Sequence, residues 1–402
     1  MTDAWAADRK VRRPERGVAT VRRALCLVFA FGLTSCANTP ENLFLPVSRT
    51  APGVSAVDML VATTRRSVEN PGELYSGERG NALSFANIVV SIPPDSVRTV
   101  GEVQWPGTLP GNPATDFVTT KVRRLDLNAA RAWLDSHGTA TRKHRVLIFV
   151  HGYNNRFGDA VFRLAQFVHD SDAGVTPVLF TWPSRGNVFA YGYDRESASL
   201  SRDAFEQMLN MLVRDPAIVK IDILAHSMGN FLVLETLRQM ALRNRAISTK
   251  IDNVMLAAPD VDVDGFESDV ADMGNPHPRF TLFVSRDDKA LALSGWIWGS
   301  EARLGAIDPK AEPYKSRLAA EHVNVFDLTD IKSTDAANHN KFVQSPELVR
   351  LVGDRLASGQ TLSDLHESVV DQFLSTAGGE VGALEAAVEK AETAGVENPA
   401  DR

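Results

Sequence analysis

A serine at the junction of a predicted strand and a predicted helix is the strongest chemical feature of this chain. Residues 221–224 form a short aliphatic run that is typical of a strand buried on both faces. Ser227 follows within Ala-His-Ser-Met-Gly, and from residue 231 onward apolar side chains recur at helical spacing. A sharp turn of this kind lifts the hydroxyl clear of the sheet and places a helix N-terminus behind it. The pattern indicates a serine that attacks a carbonyl carbon.

The motif departs from the usual Gly-x-Ser-x-Gly at one position. Ala225 replaces the first glycine, where strand and helix pass close together and a methyl group is the smallest possible addition. Gly229, the second small residue, is present. Because Ser-x-Gly recurs by chance in long chains, the interpretation depends on the partners of the serine.

A histidine must take the proton of the serine, and the groups that assist it collect at the carboxyl ends of parallel strands. Of the nine histidines, His339 follows the last predicted strand on a loop of polar and small residues. Its place after the serine in the chain favours it as the base, and the alternative is a solvent-exposed loop histidine. The turn directs His226 away from the serine, which indicates a structural role. His151 ends a predicted strand and is expected to shape the oxyanion loop and to contact the substrate.

A carboxylate that orients the base should lie between the serine and the histidine in the chain. Asp288 follows the penultimate predicted strand and is the preferred candidate. Asp287 beside it is expected to form a salt bridge or to cap a helix. Asp260, one strand earlier, is the main competitor, so the choice among the three aspartates stays open.

Backbone N–H groups must stabilise the oxyanion of the intermediate. Met228 supplies the N–H that follows the serine, and Tyr153 supplies a second one from the loop after the strand at 146–150. Aromatic residues near strand ends are expected to wall a substrate pocket, although packing in the core is the alternative. These residues are Trp182, Tyr191, Trp296 and Trp298. The irregular segment 293–314 is expected to cover the site as a lid.

The composition is that of a globular protein without nucleic-acid chemistry. Of 402 residues, 44% are hydrophobic and 23% are charged, and this length accommodates one α/β domain with tails. A net charge of −7 argues against a nucleic-acid partner, which favours a basic face. The only cysteines, Cys26 and Cys36, precede the predicted domain. We therefore expect no disulfide, no thiol nucleophile, no metal and no organic cofactor.

Strand–helix alternation from residue 145 predicts a mostly parallel central sheet with helices on both faces. Strands predicted at 58–64, 85–92 and 100–105 form an antiparallel N-terminal edge. Further strands are predicted at 146–150, 175–181, 221–224, 251–257, 279–285 and 323–328. The main helices are predicted at 126–135, 157–169, 196–213 and 346–356.

The N-terminal region resembles the signal peptide of bacterial lipoproteins. Residues 1–35 combine a basic region with an apolar stretch at 24–33 that is too short to span a bilayer. The segment Leu-Thr-Ser-Cys at 33–36 resembles a lipobox, which implies lipidation of Cys36 and anchoring at the periplasmic side of the outer membrane. An ordinary secretory signal is the alternative. Residues 36–56 are expected to be a flexible tether, 57–357 the folded domain, and 358–402 a helical and then disordered acidic tail.

A set of ordered segments resembles the α/β-hydrolase superfamily and, within it, bacterial esterase/lipase-like α/β hydrolases of unknown function. These segments are ATTR at 62–65, SIPP at 91–94, FVHGYNN at 149–155, TWPSRG at 181–186, YDRESA at 193–198, AHSMGN at 225–230, APDVD at 258–262, SRDDKAL at 285–291 and RLG at 303–305. The resemblance implies the α/β-hydrolase fold and hydrolysis by a Ser-His-Asp triad through an acyl-enzyme. At His339 this chain has HNKF where the group often has HSYF.

The resulting hypothesis is a carboxylic ester hydrolase, similar to esterases and lipases, that acts on a small-molecule ester or acyl substrate. An acyltransferase or amidase would use the same triad. A catalytically inactive binding lipoprotein would keep the scaffold, but the intact order of serine, aspartate and histidine argues against it.

Overall fold

Nine strands form one sheet within the residues that the computed structural model describes, which are 40–138, 143–299 and 302–358. The strands are β1 Ser55–Ser67, β2 Tyr75–Ile92, β3 Val118–Leu125, β4 His144–Val150, β5 Thr176–Thr181, β6 Ile218–His226, β7 Ile251–Ala257, β8 Arg279–Val284 and β9 Asn324–Asp327. The α-helices are α1 Leu127–His137, α2 Phe157–Ser171, α3 Tyr191–Leu200, α4 Arg202–Arg214, α5 Met228–Asn244, α6 Val263–Met273, α7 Lys289–Ile297, α8 Tyr314–Ala320, α9 Lys341–Gln344 and α10 Pro346–Ser358.

The strand order across the sheet is β3-β2-β1-β5-β4-β6-β7-β8-β9. The pairs β1–β2 and β2–β3 are antiparallel, whereas every neighbouring pair from β1 to β9 is parallel. The predicted fold class, a mostly parallel sheet with antiparallel N-terminal edge strands, is confirmed. Strands β4 and β6 lie side by side at the centre, and the serine follows β6.

Two hydrophobic cores cover the two faces of the sheet because successive strand residues point to opposite sides. In β6, Ile223 packs in one core and Leu224 in the other. Helices α4, α5 and α6 contribute to the first core, and α2 and α10 contribute to the second. This double burial explains why the central strands are apolar along both faces.

The third edge strand is not where the sequence pattern placed it. Residues 100–105 form a loop, in which Gly101 has a φ of 85° and donates its N–H to Asp170 Oδ2 at 2.9 Å. Trp105 packs on the ring of Phe162 with centroids 5.3 Å apart, so its apolar side chain serves a loop contact. The edge strand is β3, which pairs with β2. Its charged side chains point outward, so its sequence lacks the apolar character expected of a strand.

The helix predicted at 196–213 is two helices, α3 and α4, which begin earlier and end later than expected. At the break, Ser201 Oγ donates to Ser197 O at 2.7 Å and lies 2.8 Å from Thr64 Oγ1. Helices α6, α7, α8 and α9 were not predicted. The first residues of the predicted lid belong to helix α7, so the segment 293–314 is less irregular than expected.

The flexible tether predicted at 36–56 is wrong for its described part. Leu43, Phe44 and Val47 are buried in the second core or beside it. Phe44 N donates to Gly72 O at 3.0 Å, and Val47 N donates to Thr119 O at 2.8 Å. The polar composition predicted a tether because only a few apolar residues of this segment pack against the domain, and they do not recur at a regular spacing.

Several predictions fall wholly or partly outside the described residues. The predicted signal peptide, Cys36 and the tail from residue 359 lie there. Within the described ranges, no helix combines the length and the apolar character that crossing a bilayer requires. The same residues contain no cluster of three or more His, Cys, Asp or Glu side chains suited to hold a metal ion.

Candidate active site

Ser227 forms a strained turn between β6 and α5. Its φ of 51° and ψ of −123° lie in a region that residues other than glycine rarely adopt. Ser227 N donates to Ala257 O at 3.0 Å, and Asn230 Nδ2 donates to Ser227 O at 2.8 Å and to Ala257 O at 3.0 Å. These contacts hold the conformation that a nucleophile on a strand-to-helix turn requires.

Small residues make room for this turn. A Cβ on Gly229 would lie 2.5 Å from His151 O, and a Cβ on Gly152 would lie 2.7 Å from Ser227 Cβ. Both glycines are therefore required by close contacts of the backbone. Ala225 is fully buried within β6, where its methyl group is accommodated. The departure from Gly-x-Ser-x-Gly thus falls at a position that tolerates a methyl group.

His339 and Asp288 are brought together from distant parts of the chain. His339 Nδ1 lies 2.6 Å from Asp288 Oδ2, and the Asp288 side chain is buried. The other oxygen of Asp288 accepts a hydrogen bond from Leu291 N at 2.9 Å, which caps helix α7. With Nδ1–H donating to the carboxylate, the Nε2 atom of His339 is left as an acceptor. This is the tautomer that a general base needs.

The two competing aspartates have other partners. Asp287 accepts from Lys341 Nζ at 2.7 Å, in agreement with the expected salt bridge. Asp260 accepts from Tyr191 OH at 2.8 Å and from Ser294 Oγ at 2.5 Å. Neither carboxylate has a hydrogen bond to the imidazole within the described ranges. The geometry therefore favours the preferred candidate.

The serine and the predicted base lie on neighbouring loops. The rings of His226 and His339 have centroids 4.8 Å apart, and His226 Nε2 donates to His339 O at 3.2 Å. Between residues 143 and 358, as far as these are described, Ser227 Oγ has no hydrogen bond to His339. Catalytic hydrogen bonds are often long before substrate binds. The role of His339 as the base of Ser227 stays a prediction.

One carboxylate organises the loop that carries His339. Asp335 accepts from the backbone N–H groups of Ala337 at 3.0 Å and His339 at 2.9 Å. It also accepts from Asn340 N at 3.2 Å and Asn340 Nδ2 at 2.9 Å. Burial alone would raise the pKa of Asp335, but these donors lower it below its ordinary value. Asp335 is therefore ionised at neutral pH.

The two neighbouring histidines have opposite electrostatics. Burial opposes the protonation of His339, but the Asp288 carboxylate outweighs burial and raises the pKa of His339 above 6.5. Burial and the charge of His339 together lower the pKa of His226 to about 3. His226 is consequently neutral and holds the backbone of His339 as a hydrogen-bond donor.

The predicted oxyanion loop at residues 152–155 is fixed by a buried network that the sequence reasoning missed. Arg65 Nη2 donates to Asn155 O at 2.8 Å. Asp194 accepts from Asn154 N at 3.2 Å and from Ser184 Oγ at 2.5 Å. The loop is therefore fastened from both sides before any substrate binds.

His151 lies beneath this loop and is fully buried. Its Nδ1–H donates to Gly152 O at 2.8 Å, and its Nε2 lies 2.9 Å from Thr181 Oγ1 and 3.3 Å from Arg65 Nη2. Burial and then the Arg65 charge lower the pKa of His151 well below its usual value. Trp182 stacks on the same ring and is also fully buried. The substrate contacts predicted for these two residues are wrong, because both side chains belong to the core.

The two predicted oxyanion donors belong to segments that adjoin the serine. Met228 is the first residue of α5, where backbone N–H groups have no partner within the helix. Tyr153 follows Gly152, which abuts Ser227. The Tyr153 hydroxyl donates a hydrogen bond to Val188 O. Its backbone N–H, not its side chain, is therefore the candidate oxyanion donor. The oxyanion role of both residues stays a prediction.

The remaining predicted pocket residues differ in exposure. Tyr191 is half-buried, and burial together with the Asp260 charge raises the pKa of its hydroxyl to about 12. Trp298 Nε1 donates to Tyr191 OH at 3.0 Å. Trp296 is 68% exposed and lines a cavity of about 350 Å³ with Arg303 and other residues. Substrate contact by Tyr191 and Trp296 stays a prediction.

The residues that hold the predicted oxyanion loop were indicated in the sequence only by the family resemblance. Arg65, Ser184 and Asp194 lie in ATTR, TWPSRG and YDRESA, which are among the segments of the family resemblance. No motif singled out Asp335, whose function depends on how a loop folds around it.

A protein family and one curated protein share sequence with this chain. The family described as "Alpha/beta hydrolase of unknown function (DUF900)" matches residues 126–355. A protein of Nostoc sp., named "Uncharacterized protein alr1448", is 36% identical over 63 residues. That match spans 16% of this chain and 16% of the Nostoc protein.

Solved esterase structures are similar at low identity. An esterase from Pyrobaculum calidifontis is 12% identical, with coverage of 85% of this chain and 93% of the esterase and a TM-score of 0.32. Brefeldin A esterase, described as a bacterial homologue of human hormone-sensitive lipase, is also 12% identical, with coverage of 89% and 90% and a TM-score of 0.39. These likenesses are too loose to transfer an activity to this chain.

Proposed function

The chain belongs to the family of α/β hydrolases of unknown function, and from this premise we propose that it is a serine hydrolase that cleaves carboxylic esters. The observation that carries the proposal is the 2.6 Å contact between His339 Nδ1 and Asp288 Oδ2 near the strained turn of Ser227. Nucleophile, orienting acid and base follow one another in the chain order that is usual for this fold.

The proposed reaction proceeds through an acyl-enzyme. Ser227 Oγ attacks the ester carbonyl and its proton passes to Nε2 of His339, while Asp288 stabilises the imidazolium. The N–H groups of Met228 and Tyr153 donate to the oxyanion. His339 then protonates the leaving alcohol, and a water molecule that it deprotonates releases the acid.

The solvent exposure of the candidate base, His339, favours hydrolysis over acyl transfer. The His339 side chain is 14% exposed, so the candidate base is not fully enclosed by protein. A transferase would need a site that excludes water. This observation supports water as the acceptor of the acyl group.

A fluorophosphonate probe tests the proposal, because it reacts covalently with activated serines. We expect labelling of the wild type, no labelling of Ser227→Ala, and hydrolysis of p-nitrophenyl butyrate by the wild type alone. Ser199→Ala, a serine on α3, is the matched control and should be labelled like the wild type. An unlabelled wild type without esterase activity would show that the proposal is wrong.

We further propose that Cys36 is lipidated and anchors the protein at the periplasmic side of the bacterial outer membrane. The basis is the Leu-Thr-Ser-Cys segment after the apolar stretch at 24–33. Metabolic labelling with a fatty acid should mark the wild type and Cys26→Ser but not Cys36→Ser. Label that persists in Cys36→Ser contradicts this proposal.

A further inference from the structure

Two arginines share one tryptophan beside the candidate active site. The Cζ atoms of Arg195 and Arg303 each lie 5.9 Å from the ring centroid of Trp298. Arg195 also lies over the ring of Phe231, with its Cζ 3.2 Å from the centroid. Two like charges are therefore held next to each other by aromatic faces, which attract cations.

This pair of arginines is close to the nucleophile. Phe231 lies about one helical turn after Ser227 in α5. Trp298 Nε1 donates to Tyr191 OH at 3.0 Å, and the Tyr191 ring lies 5.1 Å from the ring of Tyr153. The cluster thus connects the helix behind the serine with the predicted oxyanion loop.

Neither guanidinium group has a hydrogen bond to a carboxylate among the residues that the structure describes. Arg195 is half-buried and forms no hydrogen bond or ion pair with any residue in the described ranges. Arg303 is 7% exposed, and its buried Nε has no hydrogen-bond partner in the described part of the chain. Oδ1 of Asp260 forms an ion pair with that Nε at 3.5 Å, but the hydrogen bond that this oxygen accepts comes from Ser294 Oγ. Within the described ranges, Asp260 is therefore the only carboxylate within 4 Å of either guanidinium group, and the more distant Glu235 also acts on the charge of Arg195.

The buried Arg65, by contrast, has a hydrogen-bond acceptor for each of its guanidinium nitrogens. All three of its guanidinium nitrogens donate at 2.8 Å, to Thr181 Oγ1, Ser184 O and Asn155 O. A buried guanidinium without such acceptors is costly. Burial also lowers the pKa of Arg195, which shows that its charge is poorly solvated. An anionic ligand would supply the missing acceptors.

We propose that Arg195 and Arg303 form a subsite for an anionic group, either a carboxylate or a phosphate, on the ester substrate. The planar, five-donor guanidinium matches both groups. This inference rests on the proposed serine hydrolase function and narrows its substrates to esters that carry a negative charge. The anionic group would bind over Trp298 while the ester carbonyl reaches Ser227.

The test compares two esters of similar length that differ in charge, mono-p-nitrophenyl glutarate and p-nitrophenyl hexanoate. For the wild type, kcat/KM should be higher for the glutarate ester. In Arg195→Gln and Arg303→Gln the ratio of the two kcat/KM values should fall about tenfold or more, because charge-assisted hydrogen bonds are lost. Arg185→Gln is the matched control, since Arg185 also stacks on an aromatic ring, that of Tyr193, and should keep the wild-type ratio.

Competitive inhibition of hexanoate hydrolysis distinguishes the two anions. Inhibition by inorganic phosphate but not by glutarate assigns the subsite to phosphate, and the reverse assigns it to carboxylate. Either inhibition should weaken at least tenfold in Arg195→Gln. Arg195→Glu should prefer the p-nitrophenyl ester of 4-(trimethylammonio)butyrate over the glutarate ester, which a merely structural arginine would not produce.

Two failures are distinguishable. A wild type that is labelled by fluorophosphonate and hydrolyses the hexanoate ester, but shows neither preference for the glutarate ester nor inhibition by either anion, overturns the anionic subsite and leaves the hydrolase proposal in place. A wild type that is neither labelled nor active overturns both.

Discussion

Two histidines flank the candidate nucleophile, and their surroundings give them opposite properties. His151 lies beside the Arg65 guanidinium, and burial and that charge hold its pKa well below the usual value. His339 contacts the Asp288 carboxylate, which raises its pKa above 6.5 despite burial. The same side chain thus becomes a neutral structural group in one place and a candidate base in the other. The sign of the neighbouring charge makes the difference.

The two sides of the site also differ in how they are held. Four hydrogen bonds of the Arg65 side chain join residues that are 86 to 119 positions apart, so the oxyanion side is continuous with the core. The loop of His339 is held by Asp335, four residues away, and by hydrogen bonds to residues 51 to 113 positions away, of which the one to Asp288 orients the imidazole. We therefore expect changes on the first side to reduce stability and changes on the second side to reduce activity.

Asp288→Asn should produce the largest effect, on activity alone. An amide at this position disfavours the base tautomer of His339, and in serine triads such a change lowers kcat about 10⁴-fold. Asparagine still caps a helix, so the free energy of unfolding should change little. Steady-state hydrolysis of p-nitrophenyl butyrate and urea unfolding measure the two quantities. Asp287→Asn is the control, and a loss confined to Asp260→Asn would refute the assignment.

Arg65→Met should act mainly on stability. It removes donors from buried acceptors around residues 151, 155, 181 and 184, and we expect the free energy of unfolding to fall by about 3 kcal/mol. Urea unfolding followed by tryptophan fluorescence measures this loss. Arg185→Met, which removes an exposed guanidinium, should leave the unfolding midpoint nearly unchanged. If Arg65→Met and Arg185→Met lower the free energy of unfolding equally, the proposed structural role of the oxyanion side is wrong.

The pH dependence of kcat/KM should report His339. Only the neutral imidazole accepts the serine proton, so activity should rise with pH through a pKa above 6.5. Asp335 is ionised and contributes to that raised pKa, so Asp335→Asn should move the acidic limb to lower pH. The same charge change at the exposed Asp172, in Asp172→Asn, should leave the limb in place. A limb that does not move in Asp335→Asn contradicts this account.

His226→Phe should have the smallest effect. It keeps a ring next to His339 but removes the hydrogen bond of His226 Nε2 to His339 O. One neutral hydrogen bond corresponds to a loss of about two- to tenfold in kcat. Initial rates at saturating ester, with the thermal midpoint as a check on folding, test this. A loss as large as that of Asp288→Asn would mean that His226 does more than position its neighbour.

The catalytic candidates could be selected from the sequence because each lies on a local pattern. Ser227 lies between an aliphatic run and a helical repeat, and Asp288 and His339 follow later strands in chain order. Parallel strands bring such positions to one edge of the sheet, which is a property of the topology rather than of any one residue. The choice among three aspartates was open, since adjacent residues such as Asp287 and Asp288 have the same local pattern.

Other features depended on contacts that no local pattern encodes. The aromatic character of Trp182 is equally compatible with a pocket wall and with the core, and only its stacking on His151 distinguishes them. Val103 and Trp105 alternate like a strand but pack as a loop, whereas the charged β3 is a strand because β2 supplies its hydrogen-bond partners.

The sequence by itself determined the six parallel strands from residue 144 onward, the serine turn and the choice of the candidate base, because these depend on periodicity and on chain order. Only the tertiary structure decided which carboxylate contacts the imidazole and which histidine has its pKa lowered by an arginine. It also decided that, among the described residues, neither Arg195 nor the Nε of Arg303 has a hydrogen-bond acceptor. Those outcomes depend on distances between residues far apart in the chain, and charge interactions change steeply over a few ångströms.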